Sequence, residues 1–312
     1  MYKRQVLDGV VEYGDLVAFI LYIYMIFRPI RQLADRFNTL QMGMVASERV
    51  FKVMDTEAQI IGSGKNLKPG IAGNISFKNV WFAYNGEDWV LKDVSFNVNQ
   101  GQRIAIVGAT GAGKTSIINI LSRFYEYNKG QIEIDGTDIR DFDAAYLSRQ
   151  VGIVLQDVFL FSDSIHNNIT LNNPEIDRET VIEASKKVGA HKFIERLPGG
   201  YDFDVKERGG MLSVGQRQLL SFIRAYIYNP SILVLDEATS SVDTETELLI
   251  QSAIDQITEG RTSIIIAHRL ATVQHADVII VMDKGQIVEA VSHQELLKKD
   301  GAYRKLYELQ FA

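Results

Sequence analysis

The 312-residue sequence predicts an α/β fold with a mainly parallel sheet, a helical insertion, and one long helix ahead of it. Arg103 to Val107 is a short β-branched run that leads into a glycine-rich loop and then into helical spacing. Ser231 to Leu235, Thr262 to Ala267 and Asp277 to Met282 are short apolar runs of the kind seen in strands buried on both faces. Strands of that type alternating with helices imply a parallel sheet. Between two of these strands, Asp163 to about Tyr228 reads as mostly helical, which marks an inserted subdomain.

Composition narrows the function. With 46% apolar and 23% charged residues the chain is ordinary for a globular protein. Its net charge of −6 gives no basic footprint, so no nucleic-acid partner is expected. Cysteine is absent, which excludes disulfides and thiolate metal sites. Asp8, Glu12 and Asp15 interrupt the region before the first apolar run, which argues against a signal peptide.

Residues 1–54 differ from the rest. Leu16 to Phe27 is apolar all round, but its twelve residues fall short of the roughly 18 expected of a spanning helix. From Ile26 through Ile30, Leu33, Phe37, Leu40, Met44, Ser47, Phe51 and Met54 the spacing alternates between four and three, a heptad seam. One helix over 14–54 would run roughly 60 Å, about twice a bilayer core. Arg28, Arg31 and Arg36 would place its C-terminal end on the cytoplasmic side, and Pro29 marks a kink position. Periodicity leaves two readings open, a membrane helix and a soluble helical arm. Residues 55–73, with Gly62, Ser63, Gly64, Pro69, Gly70 and Gly73, form a linker. A globular domain is expected over 74–312.

That domain opens with strand-like alternation in Asn74 to Tyr84 (Ile75, Phe77, Val80, Phe82) and in Val90 to Val98. After them comes the loop Gly108, Ala109, Thr110, Gly111, Ala112, Gly113, Lys114, Thr115. This is G-x-x-x-x-G-K-[ST] between a strand and a helix, the setting in which the pattern makes a phosphate site. Glycines let backbone N–H groups converge on an anion, and the helix N-terminus faces the same point. Lys114 supplies a charge for β- and γ-phosphates, and the Thr115 hydroxyl a ligand for Mg²⁺. Ser116 to Phe124 then has helical spacing, with Ile117, Ile120, Leu121 and Phe124 on one face. Gln131 to Ile134 and Val151 to Leu155 are further strands, and Gln286 to Glu289 another. Asp236 and Glu237 follow the strand Ser231 to Leu235, where carboxylates lie beside a phosphate loop. Asp236 is the predicted Mg²⁺ holder and Glu237 the general base for the attacking water.

Leu212 to Gln216 reads L-S-V-G-Q ahead of a long helical stretch. With it the chain resembles the ATP-binding cassette (ABC) family, whose signature is L-S-G-G-Q. The resemblance implies an α/β P-loop NTPase fold, an ABC ATPase domain over 74–312 with its helical subdomain over about 157–229. It implies that two such domains pair head to tail. Ser213, Gly215 and Gln216 of one then cap the ATP held by the phosphate loop of the other. Tyr84 matches the family's adenine-stacking aromatic, and Gln156 the glutamine that contacts Mg²⁺ and senses the helical subdomain. Glu207, Arg208 and Gly209 resemble the exporter-type loop before the signature, with Lys206 where a glycine is expected. Ser240, Ser241, Val242 and Asp243 are similar to the loop between paired domains, and His268 to the switch histidine on the γ-phosphate.

The resemblance extends to residues 1–54, which look like the end of an exporter's membrane domain. Gly14 to Phe19 resembles the outer start of the last membrane helix, and Arg28 to Leu33 the helix descending to the ATPase domain. This favours the membrane reading, with lipid contact over 14–30 and a place in the cell membrane. An exporter half has six membrane helices, and at most one complete helix is present. The chain is therefore expected to be a fragment or a truncated product that does not transport alone. Val214 in the signature and Ile223, where alanine is usual, point to a heterodimeric partner. The alternatives are a soluble ABC ATPase and a nucleotide sensor without turnover; intact Glu237 and His268 argue against the second.

Overall fold

The computed structural model describes residues 12–56, 64, 70–237, 244–267 and 270–310. The chain falls into two units, Met1–Gln59 and Ile60–Ala312.

The first unit is one helix, α1 (Tyr13–Met54), 42 residues long and unbroken through Pro29. Among the described residues it is the one helix long and apolar enough to cross a membrane. None of its residues is buried. The predicted seam, including Leu33, Phe37 and Leu40, is exposed along the whole helix. It closes at Asp55, whose N–H donates to the Phe51 carbonyl at 2.8 Å.

The second unit holds two sheets. The larger has the order β10-β9-β3-β8-β7-β6. Its members are β3 (Arg103–Gly108), β6 (Val151–Val154), β7 (Ile232–Asp236), β8 (Thr262–Ile266), β9 (Val278–Asp283) and β10 (Gln286–Val291). All neighbours from β9 to β6 are parallel, and only β10 pairs antiparallel. The apolar runs read as doubly buried strands are so. Ile104 and Ile106 face one core with Ile232, Val234, Ile264 and Ile266. Ala105 and Val107 face the other with Leu233, Leu235 and Ile265. A strand with a core on each side has no polar face to alternate with, hence the unbroken apolar letters.

The smaller sheet is a departure from the single mainly parallel sheet that was expected. Here β1 (Ile75–Ala83), β2 (Trp89–Val98), β4 (Lys129–Ile134) and β5 (Thr137–Asp138) form a separate antiparallel sheet, order β2-β1-β4-β5. Only one of its faces is buried, so Phe77, Val80 and Phe82 alternate with wetter positions. The register breaks between Phe77 and Val80, where Asn79 takes a left-handed φ of 47°. Phe77 stacks on Phe96 of β2 with centroids 4.4 Å apart.

The loop helix α2 (Lys114–Leu121) lies over this core and buries Ile117, Ile120 and Leu121. Phe124 does not join them. The helix stops at Leu121, Arg123 turns left-handed (φ 56°), and Phe124 is 53% exposed.

The predicted helical insertion contains α4 (Ile165–Thr170), α5 (Arg178–Val188), α6 (His191–Glu195) and α7 (Val214–Tyr228), after a short α3 (Ala144–Gln150). Local chemistry starts each of three of them. Ser164 accepts from the Asn167 N–H, Asp177 from Thr180, and Ser213 from Gln216. Beyond β7 come α8 (Thr244–Thr258), α9 (Leu270–Gln274), α10 (His293–Lys298) and α11 (Ala302–Gln310). The apolar face of α7 (Leu219, Leu220, Phe222, Ile223) packs with Ile250 and Ile254 of α8 and with the underside of the sheet.

Candidate nucleotide site

The loop Gly108 to Thr115 leaves the C-terminal end of β3, a central strand, and runs straight into α2. Gly108 and Gly113 are obligatory. At Gly108 (φ 154°) a Cβ would stand 2.3 Å from the Met282 carbonyl oxygen, and at Gly113 (φ 99°) 2.8 Å from Leu91 Cδ2. Gly113 is the N-cap of α2, so the loop ends with backbone at the positive end of a helix. The Lys114 side chain folds back into the loop. Its Nζ donates to the carbonyls of Gly108 at 2.8 Å and Ala109 at 3.0 Å. Lys114 is buried, which depresses its pKa, and the Asp236 charge pulls it back up. Thr115 faces outward beside it. Ala109, Thr110 and Gly111 are exposed, and Ala112 is buried beneath them.

The carboxylates arrive on neighbouring strands. Asp236 pairs with Ile266, and Ile266 with Ile106, so the ends of β7, β8 and β3 stand level. Gly108 is two residues further along. Burial raises the Asp236 pKa, the nearby Lys114 lowers it, and Asp157 raises it again. Asp157 comes from the turn after β6, next to β7, together with the exposed Gln156. A half-buried Asp236 with the exposed Asp157 close enough to act on it suits a cation. Thr115, Gln156 and Asp236 offer only hard oxygen ligands, the set Mg²⁺ takes with phosphate oxygens. Among the described residues no group of three His, Cys, Asp or Glu side chains forms a metal centre by itself.

Glu237 continues the ladder one residue past β7, its N–H donating to the Ile266 carbonyl at 3.2 Å. It is only 2% exposed. Its Oε1 accepts from the Thr272 hydroxyl of α9 at 2.9 Å. Thr272 was not among the predicted site residues.

Tyr84 sits beside α2. Its hydroxyl lies 3.1 Å from Ser116 Oγ and accepts from Asn119 Nδ2 at 3.0 Å. Its ring meets Phe82 and Tyr125 edge-on, at 4.7 and 4.9 Å, and remains 41% exposed. Ser116 is buried against it.

The signature segment lies in the helical insertion. Ser213 and Gln216 form a reciprocal capping box at the start of α7. Gln216 N–H donates to Ser213 Oγ at 3.2 Å, and Ser213 N–H to Gln216 Oε1 at 3.0 Å. Gly215 is buried and Val214 is 40% exposed at the first helical position. His268 and Asp243, with Ser240, Ser241 and Val242, lie outside the described residues.

The loop before the signature shows what the glycine replacement costs. Lys206 takes φ 59°, ψ −173°, a region that essentially only glycine occupies without strain. Its Nζ reaches Asp204 at 2.6 Å, an exposed pair of small worth. Lys206→Gly is therefore expected to raise the melting temperature by a few degrees. A lowered one in thermal unfolding would mean that the Asp204 contacts outweigh the strain.

The sequence model of the family described as ABC transporter matches residues 91–240. A probable multidrug resistance ABC transporter ATP-binding/permease protein of Bacillus subtilis, YheH, is 43% identical over 97% of the chain and is itself covered to 45%. An ATP-dependent lipid A-core flippase of Syntrophus aciditrophicus is 41% identical over 98% of the chain, and 51% of it is covered. A solved bacterial Atm1-family ABC exporter with ATP bound superposes with a TM-score of 0.78 at 38% identity, over 97% of this chain and 53% of that one. The chain thus spans about half the length of the curated relatives it matches.

Proposed function

We propose, from the premise that the chain belongs to the ABC transporter family, that it is the ATP-hydrolysing half of an exporter subunit, joined to the last membrane helix of that subunit. The observation that carries this is the site's rim. A phosphate loop with its lysine follows β3, a buried carboxylate follows β7, and the Mg²⁺-type oxygen set comes from β7, the loop and the turn after β6, all within one run of four parallel strands. The likeness to exporters covers 97% of the chain and so reaches beyond the ATPase domain into most of residues 1–54, which counts against a soluble ABC ATPase.

The chemistry is phosphoryl transfer to water. ATP phosphates would take the place of the Gly108 and Ala109 carbonyls as partners of Lys114, while the loop N–H groups and the α2 N-terminus face the same anion. Thr115, Gln156 and Asp236 would hold Mg²⁺, which when bound neutralises charge on the phosphates. Glu237 takes the proton of the attacking water. His268 orients the γ-phosphate, and Tyr84 stacks on adenine. Ser213, Gly215 and Gln216 act on the nucleotide of a second half-transporter paired head to tail, with Asp243 in the loop between the domains. The capping box occupies the side chains of Ser213 and Gln216, so the N-terminus of α7 would offer its backbone N–H groups to that phosphate. Val214 at this N-terminus supports a heterodimeric partner, whose site would feel the alteration. Lipid contact falls on residues 14–30, and the ATPase domain faces the cytoplasm. The two relatives carry different cargo names at nearly equal identity, so no cargo is assigned.

The full chain, purified in detergent, should release phosphate from ATP only with Mg²⁺, and more per chain as protein concentration rises. A strict monomer with undiminished specific activity would exclude the shared site. Membranes containing the chain should retain it through an alkaline carbonate wash; a chain soluble and monodisperse without detergent would return the soluble ABC ATPase.

A further inference from the structure

Beneath the reacting end of the site lies a buried polar row contributed by three elements. Glu237 follows β7, Thr272 is on α9, and Gln251 is on α8. Thr272 is 1% exposed and Glu237 2%. The Thr272 hydroxyl stands 2.9 Å from Glu237 Oε1 and 3.4 Å from Gln251 Oε1. Gln251 Nε2 is buried with no hydrogen-bond partner.

One count decides how this row is wired. A threonine hydroxyl has a single hydrogen and cannot donate to two acceptors at once. The shorter contact goes to the carboxylate, which in its ionised form only accepts. That leaves the Thr272 oxygen needing a donor where an amide oxygen would sit. Turning the Gln251 amide about its last bond resolves this, because Nε2 then donates to Thr272 Oγ1. The donor that had been buried without a partner gains one. The exchange leaves a buried carbonyl oxygen unpaired, a lesser penalty than an orphaned N–H. The row then runs in one direction: Gln251 N–H to Thr272 O–H to the Glu237 carboxylate.

We propose that Thr272, backed by Gln251, is the positioning residue of the hydrolytic base. It fixes Oε1 of Glu237 and with it the orientation of the carboxylate. Thr272, 1% exposed, acts through Glu237. A base held in one rotamer meets its water more often in the productive geometry. The proposal rests on Glu237 being the base.

The test is steady-state ATP hydrolysis and equilibrium ATP binding by the full chain in detergent, comparing Thr272→Val, Thr272→Ser, Gln251→Leu and Glu237→Gln. Valine keeps the shape of threonine and removes the hydrogen bond. It should lower kcat about tenfold, the size of one hydrogen bond to a charged group, with KM and ATP affinity within twofold. Serine restores the donor and should recover kcat to within about threefold of the wild type. A defect in packing alone would move affinity and the melting temperature with kcat, and serine would not rescue it. Gln251→Leu removes the backing donor from a different element and gives an independent reading if valine does not fold; about a threefold fall in kcat at unchanged affinity is expected. An inactive Glu237→Gln beside a fully active Thr272→Val, or a serine variant as slow as valine, overturns the positioning role alone. An active Glu237→Gln overturns the base assignment itself, and the positioning role with it.

Discussion

Glu237→Gln is expected to slow ATP hydrolysis at least about 10²-fold, the usual worth of a general base, while ATP still binds. The substitution keeps the shape of the side chain, and glutamine's amide oxygen can still accept from Thr272, as Glu237 Oε1 does at 2.9 Å. The backbone bond to Ile266 does not involve the side chain and stays. What is lost is a negative charge able to take a proton. Because the residue is 2% exposed, bulk water cannot easily supply a substitute base. Nor does the variant disturb the phosphate loop, whose lysine answers to Asp236. Single-turnover phosphate release alongside equilibrium binding of ATP separates the two quantities. Turnover within threefold of the wild type would remove Glu237 from the base role, and lost binding would show that it supports the loop instead.

The parts of this site that sequence exposes are those built from neighbours along the chain. Gly108 to Thr115 is one continuous loop, and the Ser213–Gln216 capping box spans a single helical turn. The strands β3, β7 and β8 are legible because burial on both faces makes their centres continuous apolar runs, Ile104 to Val107, Ile232 to Leu235 and Ile264 to Ile266. The alternation of Phe77, Val80 and Phe82 reports a one-faced strand but does not say which sheet it joins. That depends on the hairpin pairing with β2 and the long-range pairing with β4. Phe124 was misplaced because Arg123 takes a left-handed turn that its side chain does not advertise. Thr272 is the clearest omission. It lies 35 positions from Glu237 and 21 from Gln251, and only the packing of α8 and α9 beside the sheet brings the three together. An isolated threonine in a five-residue helix carries no motif.

Lys114→Ala should act on the other half of the reaction. Nζ holds the Gly108 and Ala109 carbonyls at 2.8 and 3.0 Å, so the ammonium already lies inside the loop that would receive phosphates. Loss of one charge-assisted contact is worth roughly 1.5–3 kcal/mol, and ATP affinity should fall at least about tenfold. The fold should suffer little. Burial opposes the lysine's charge, and removing a buried charge relieves its desolvation. Asp236 would bear part of the consequence. Lys114 is the one group that lowers its pKa against burial and Asp157. Without that cation Asp236 should titrate higher and hold Mg²⁺ less well, deepening the loss. Thermal unfolding against an ATP series reads both effects. The wild-type midpoint should climb with nucleotide, as binding to the native state requires. The variant's midpoint should start near the wild-type value and stay flat. Lys114→Met, which keeps most of the apolar stem, should behave as alanine does if the charge is the cause. Methionine binding ATP like the wild type would mean that stem packing shapes the loop, and an alanine variant with undiminished affinity would count against the phosphate loop altogether.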